Sequence, residues 1–175
     1  NDLIVWCVAQ SLIKEPRVNV NLVGDDIHQF SAANVSVAIA TDNGLYSATL
    51  YAADTKSPAE ISAATAELAD KAQNGKLTKE DISGGSFTVS NLGMYGITQF
   101  TAIVNPPMGA ILALGKATQK VVIGNGEQRI ATVLNATRAH ATTAVAPSPT
   151  TTTSTRARLK TTPPWRSPSA RSWTP

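Results

Sequence analysis

A chain of 175 residues, 42% hydrophobic and 5% aromatic, is long enough for one domain with a core. Its single cysteine, Cys7, excludes an internal disulfide framework and fits a reducing compartment, no stretch approaches membrane-spanning length, and the first residues lack the basic leader and cleavage site of a signal peptide. The net charge of +3 conceals an asymmetry: residues 1–137 hold 9 Lys/Arg against 12 Asp/Glu, whereas residues 138–175 hold 6 Lys/Arg and no acid.

In chain order, NDLIVWCVAQSLIKEP predicts a helix with Asp2 as its cap and Pro16 as its stop. Leu3, Ile4, Cys7, Val8, Ser11 and Leu12 form its apolar stripe, which makes Cys7 a buried, inert thiol. His28, in DDIHQF, reads as a surface strand or loop residue. NVSVAIATDNGLYSATLYAA predicts a hairpin turning at Asp42-Asn43-Gly44. SPAEISAATAELADKAQNGKL is the clearest helix. Ser57 and Glu60 form a capping box around Pro58, Ile61, Ala64, Leu68 and Ala72 (with Thr65) form the inner face, and Asn74-Gly75 ends it. SGGSFTVSNLG, QFTAIVNPP and GAILALGK read as strands, and KVVIGNGEQRIATVLNAT as a hairpin around Gly126. The body is thus mixed α/β.

The tail behaves differently. Residues 138–175 carry 6 of the 10 prolines with 10 Thr and 5 Ser, and too little apolar surface to offset the entropy of ordering. This predicts two regions, 1–137 folded and 138–175 a basic, disordered tail. The tail lacks the ordered patterning and aromatic interleaving of a nucleic-acid or membrane contact.

Motifs taken singly say little. There is no P-loop or dinucleotide-binding glycine pattern, and two histidines and one cysteine, far apart, make a poor metal set. Ser90, alone in a strand, reads as a hydroxyl bonded to backbone.

Several segments together say more. GGSFTVSNLGMYGITQFTAIVNPPMGAILALGK, preceded in order by NDLIVWCVAQSLIKEPRVNV, VSVAIATDNGL and LADKAQNGKLTKEDISGG, resembles the dihydrolipoamide acetyltransferases, the acyltransferase subunits of pyruvate dehydrogenase-type complexes. The likeness covers about residues 1–137, and SNLGMYG with NPP is closer to the pyruvate-type than to the branched-chain enzymes.

The resemblance implies a chloramphenicol acetyltransferase-like mixed sheet flanked by helices, here incomplete at both ends. It implies a trimer building a larger core, with decarboxylase and dihydrolipoamide dehydrogenase subunits as partners, in the bacterial cytoplasm or mitochondrial matrix. It implies coenzyme A as co-substrate, lipoyl-lysine on a domain absent here as acyl carrier, and no metal. It assigns Ser90, in VSNLG, as donor to the tetrahedral oxyanion, with the base on another subunit of the trimer.

That base is a histidine in an Asp-His-Arg-x-x-Asp-Gly motif following the strand that matches ATVLNAT. Here RAHATTAVAPSPTTTT follows instead. His140 is the candidate base nearest the expected place, without either neighbour. The codons of Ala141-Thr142-Thr143-Ala144, read two bases later, permit Asp-His-Arg, and the tail's composition fits G/C-rich coding sequence out of frame. A further departure is Gly44-Leu45-Tyr46-Ser47-Ala48-Thr49 where the family has Gly-Leu-Ile-Thr-Pro-Val. Two readings follow: an acetyltransferase catalytic segment lacking its histidine motif, or an inactive core-assembly subunit of the same complex.

Overall fold

The computed structural model describes residues 1–124 and 126–141, and the backbone alone of 151–158. Helix α1 (Asp2–Lys14) leads through a 3-10 turn into a small antiparallel hairpin, β1 (Val20–Val23) with β2 (Asp26–Gln29). A second hairpin follows, β3 (Val35–Thr41) and β4 (Gly44–Leu50), turning at Asp42-Asn43 as its sequence demands. Helix α2 (Pro58–Gln73) crosses to β5 (Phe87–Asn91), and the chain continues through β6 (Ala110–Leu114), β7 (Thr118–Gly124) and β8 (Glu127–His140).

The main sheet has the order β4-β3-β5-β6-β8-β7, with a further strand, β9 (Thr151–Arg158), paired to β8. The pairs β3–β5 and β5–β6 are parallel and the rest antiparallel, so this is a mixed sheet. Strands β6 and β7 run in succession along β8. The register passes from Leu114↔Ala136 to Thr118↔Val133, with one extra residue on the β6–β7 side.

Both helices pack on one core. Val5, Ala9 and Leu12 of α1, Ile61 and Leu68 of α2, and Val35, Val37, Leu50, Phe87, Val89 and Leu114 of the sheet form one buried cluster. Central β5 is buried along residues 87–90, as a parallel strand covered on both faces must be. Within it, Thr88 is satisfied from a neighbouring element: its Oγ1 donates to Met108 Sδ at 2.8 Å. Just before the strand, Ser86 Oγ donates to Asn19 Oδ1. The capping box of α2 forms as predicted: the Ser57 hydroxyl accepts from the Glu60 amide, and the Glu60 carboxylate accepts from the Ser57 amide.

Three expectations are corrected. The buried stripe of α1 is Val5-Ala9-Leu12, and Cys7 and Leu3 are exposed. The helix start is apolar all round, so two stripes fit the helical period, and packing against α2 selects the second. QFTAIVNPP forms no strand. Residues 97–105 run beside the sheet, where Lys116 N donates to Ile97 O and Asn135 Nδ2 to Thr98 O, and Ile103 is exposed.

The tail is the third. Arg138, Ala139 and His140 belong to β8, and Thr151–Arg158 is a strand running antiparallel from Val133↔Arg158 to His140↔Thr151. Threonine suits a strand, and the free edge of β8 offers unpaired backbone groups to join it. The rest of the tail lies outside the described residues.

Candidate active site

Ser90 is the penultimate residue of β5, 8% exposed, where the chain leaves the sheet. The local sequence explains the exit. The Leu92 amide bonds to Leu114 O, continuing the ladder with β6 for one more step. Asn91 Oδ1 then accepts from the Gly93 amide at 2.9 Å, closing an Asx turn. Gly93 has to be small. A Cβ there would sit 3.1 Å from Lys116 Cα and 3.2 Å from Gly115 O. Gly115 faces a harder limit, since a Cβ would overlap the Thr98 carbonyl. The SNLG segment is therefore a strand end followed by a turn pressed against the β6–β7 link, and this geometry fixes the position of Ser90.

Ser90 opens onto a cavity of about 370 Å³. The ends of β3 and β4 contribute Val37, Ile39 and Leu45, and the turn after β5 contributes Leu92, Met94 and Tyr95. Helix α2 contributes Thr65, Ala69 and Gln73, spaced i, i+4, i+8 on one face. Among the described residues no Asp, Glu, Lys or Arg side chain lines this cavity, and Asn1 at the start of the chain and Asn91 complete its wall. Among the described residues the Ser90 hydroxyl has no hydrogen-bond partner, so its proton is free for a guest. The reading of a lone Ser90 as bonded to backbone does not hold.

His140 lies elsewhere. Along the sheet Ser90 is in register with Ala113, and Ala113 with Thr137. His140 is three residues beyond Thr137 and in register with Ala110 and Thr151. Three residues on, alternation puts it on the opposite face from the Ser90 row, and strand spacing puts the two backbones about 14 Å apart. It lines a second cavity of about 180 Å³ with Arg17, Val18, Val20, Gly109, Arg138 and Ala141. The structure does not bring Ser90 and His140 together within one chain. His28 is exposed on β2, as expected. Among the described residues no group of three or more His, Cys, Asp or Glu could hold a metal.

The cavity wall on α2 was not read from the sequence. Thr65 was placed with the inner face, and the i, i+4, i+8 spacing of Thr65, Ala69 and Gln73 was the available signal.

Residues 1–140 match the family described as 2-oxoacid dehydrogenases acyltransferase (catalytic domain). The chain is 39% identical over 137 residues to the dihydrolipoyllysine-residue acetyltransferase component of the pyruvate dehydrogenase complex of Rickettsia bellii, covering 78% of this chain and 33% of the relative. It is 48% identical over 127 residues to component 3 of the mitochondrial Arabidopsis thaliana enzyme, covering 72% of this chain and 24% of the relative. The chain thus spans a third or less of the length of these curated relatives.

Among solved structures, a probable dihydrolipoamide acetyltransferase of Listeria monocytogenes superposes with a TM-score of 0.70 at 36% identity, over 74% of this chain and 55% of that one. The Azotobacter vinelandii enzyme superposes with a TM-score of 0.71 at 32% identity, over 74% of this chain and 54% of that one; its structure addresses a serine, a histidine and an asparagine in its catalytic mechanism. The mixed sheet, the SNLG turn and the match through residue 140 converge on one family, and this chain belongs to the 2-oxoacid dehydrogenase acyltransferases, within their catalytic domain.

Proposed function

We propose that this segment carries the oxyanion-stabilising half of an acetyltransferase site, moving an acetyl group between dihydrolipoamide and coenzyme A thiols. The observation that carries the reading is Ser90: a hydroxyl at a strand end, without a hydrogen-bond partner among the described residues, opening onto a cavity that no Asp, Glu, Lys or Arg side chain among them lines.

The chemistry needs two protein groups. A thiol with a pKa of about 8.5 is mostly protonated at neutral pH and needs a base to become a nucleophile. The thiolate adds to the acetyl thioester carbon, and the carbonyl electron pair moves to oxygen. The Ser90 hydroxyl donates to that oxyanion as it forms. Collapse re-forms the carbonyl, breaks the old C–S bond and expels the second thiolate, which regains the proton from the base. An uncharged cavity suits the thioester and its arm, and keeps the oxyanion away from competing charge. Coenzyme A acts as co-substrate, and lipoyl-lysine arrives on a domain outside this segment.

No imidazole shares the Ser90 cavity. We read the base as supplied by the Asp-His-Arg motif of another subunit in intact relatives, consistent with assembly as a trimer within a larger core. Exposed Leu45, Met94, Ile103, Val121, Ile123 and Ile130 support such burial in an assembly. The decarboxylase and dihydrolipoamide dehydrogenase of the complex would be its partners, in a bacterial cytoplasm or mitochondrial matrix. The separation of Ser90 from His140 also favours a second reading, in which this chain assembles without catalysing.

The test is acetyl transfer from acetyl-CoA to dihydrolipoamide in a protein completed with the family's flanking catalytic segments. Ser90→Ala should lower the turnover number by about 100-fold or more with the fold intact. Unchanged turnover would return Ser90 to an ordinary place in a strand.

A further inference from the structure

The Ser90 cavity holds a second hydroxyl that acetyl transfer as derived above does not use. Thr65 lines it from α2, and its Oγ1 is shielded from solvent with no hydrogen-bond partner. This is unusual for a helical threonine, which normally satisfies its hydroxyl on the carbonyl one turn back. A buried hydroxyl left without a partner is a standing cost in the empty protein. A guest that supplies the partner removes that cost and binds more tightly for it. Beside Val37, Ile39, Leu45 and Ala69, the wall carries the polar side chains of Gln73 and Asn91, whose Nε2 and Oδ1 are already engaged with Ala40 O and the Gly93 amide.

The guest's chemistry follows from the wall. A cavity walled mostly by apolar side chains, with no Asp, Glu, Lys or Arg among the described residues, accepts a flexible neutral arm. An arm with one polar group in the middle and a thiol or thioester at its end would place the amide near one hydroxyl and the sulfur near the other. We propose that Thr65 is a specificity-determining residue of this cavity: by rotation about χ1 its hydroxyl hydrogen-bonds an amide on the thiol-bearing arm, while Ser90 serves the reacting carbonyl. This rests on the reading of Ser90 as the reacting end. Both the pantetheine arm of coenzyme A and the dihydrolipoyl arm carry such an amide, so the shared chemistry is an amide set back from a thiol.

The experiment is an NMR titration of the full 175-residue chain with pantetheine, with dihydrolipoamide, and with 6-mercapto-1-hexanol, a thiol arm without an amide. The variants are Thr65→Val, which keeps shape and removes the hydroxyl, Thr65→Ser, which keeps the hydroxyl, and Ser90→Ala. Thr65→Val should raise Kd for at least one amide thiol by about fivefold, the worth of a neutral hydrogen bond, and leave 6-mercapto-1-hexanol unchanged. Thr65→Ser should restore the wild-type value. An effect on pantetheine alone assigns the coenzyme A arm, and on dihydrolipoamide alone the lipoyl arm. Thr65→Val should also raise the melting temperature, since it removes an unsatisfied hydroxyl, which guards against a misfolded variant.

Wild-type Kd values in Thr65→Val, an equal loss for the amide-free thiol, or no binding of either amide thiol by the wild-type chain overturns the proposal. Ser90→Ala should leave the Thr65 effect intact. Failure of the Ser90 reading appears in turnover, and failure of this proposal appears in binding.

Discussion

The two ends of one sheet differ in kind. At the Ser90 end, a buried parallel strand delivers a hydroxyl to a cavity that no Asp, Glu, Lys or Arg side chain among the described residues lines. At the His140 end, a long antiparallel strand delivers an imidazole to a smaller cavity beside Arg17 and Arg138. The first end is built from segments that agree with the family one after another. The second is where Arg138-Ala139-His140-Ala141 follows the ATVLNAT strand, the point after which the resemblance implies an Asp-His-Arg motif. On the proposed reading, a catalytic site is half specified in one chain: core packing holds Ser90 as the oxyanion donor, while the base depends on a histidine motif outside it.

The largest effect expected from this contrast comes from repairing the weak end. Replacing residues 138–175 with a family end containing Asp-His-Arg-x-x-Asp-Gly, in a protein completed at its front, should raise acetyl-transfer turnover by about 100- to 10,000-fold, the usual worth of a general base. No gain in steady-state assays would show that the histidine end was not what the chain lacked.

Stability should divide along the same line. Ile61 is fully buried between α2 and the sheet, so Ile61→Ala should lower unfolding free energy by about 2–5 kcal/mol in urea denaturation. Ile130, 72% exposed on β8, should tolerate Ile130→Ser within about 0.5 kcal/mol. Equal losses at the two sites would mean that Ile130 is buried by association in solution. Smaller again is the cap of α2: Ser57→Ala should cost about 1 kcal/mol by the same measurement.

The smallest effect is on pH dependence. The Ser57 backbone amide, and after it the Ser57 hydroxyl, holds the Glu60 carboxyl below its ordinary range, and the Thr78 amide and hydroxyl do the same for Asp81. Carboxyls lowered in the folded state add stability that is full above their unfolded values, near about pH 4–5, and lost as pH falls through the folded ones. Urea midpoints should fall on acidification below that range. Glu60→Gln should flatten part of the fall, and an unchanged slope would argue against the capping carboxylate.

What the sequence made legible follows from locality. The α2 caps, the Asp42-Asn43 hairpin and the inner face of Ile61, Leu68 and Ala72 are set by residues a few positions apart, and each appears where expected. Ser90 stands out through resemblance alone, because the elements that meet around it are far apart in the chain. Which stripe of α1 is buried depended on α2, and Cys7 was misplaced accordingly. Residues 97–105 have strand-like composition but form no strand. The β9 strand had no hydrophobic alternation to announce it; it exists by pairing with an available edge. Thr65 went unread as a cavity residue because the wall it shares with Ser90 joins a helix and a strand end far apart in the chain.

We propose that this chain holds its oxyanion donor and not its base. It is tested most directly by the residual acetyl transfer of the 175-residue chain itself, measured with high enzyme concentration beside Ser90→Ala and His140→Ala. The account predicts a slow rate that Ser90→Ala abolishes and His140→Ala leaves unchanged. A rate that His140→Ala abolishes, or that survives Ser90→Ala, would contradict it.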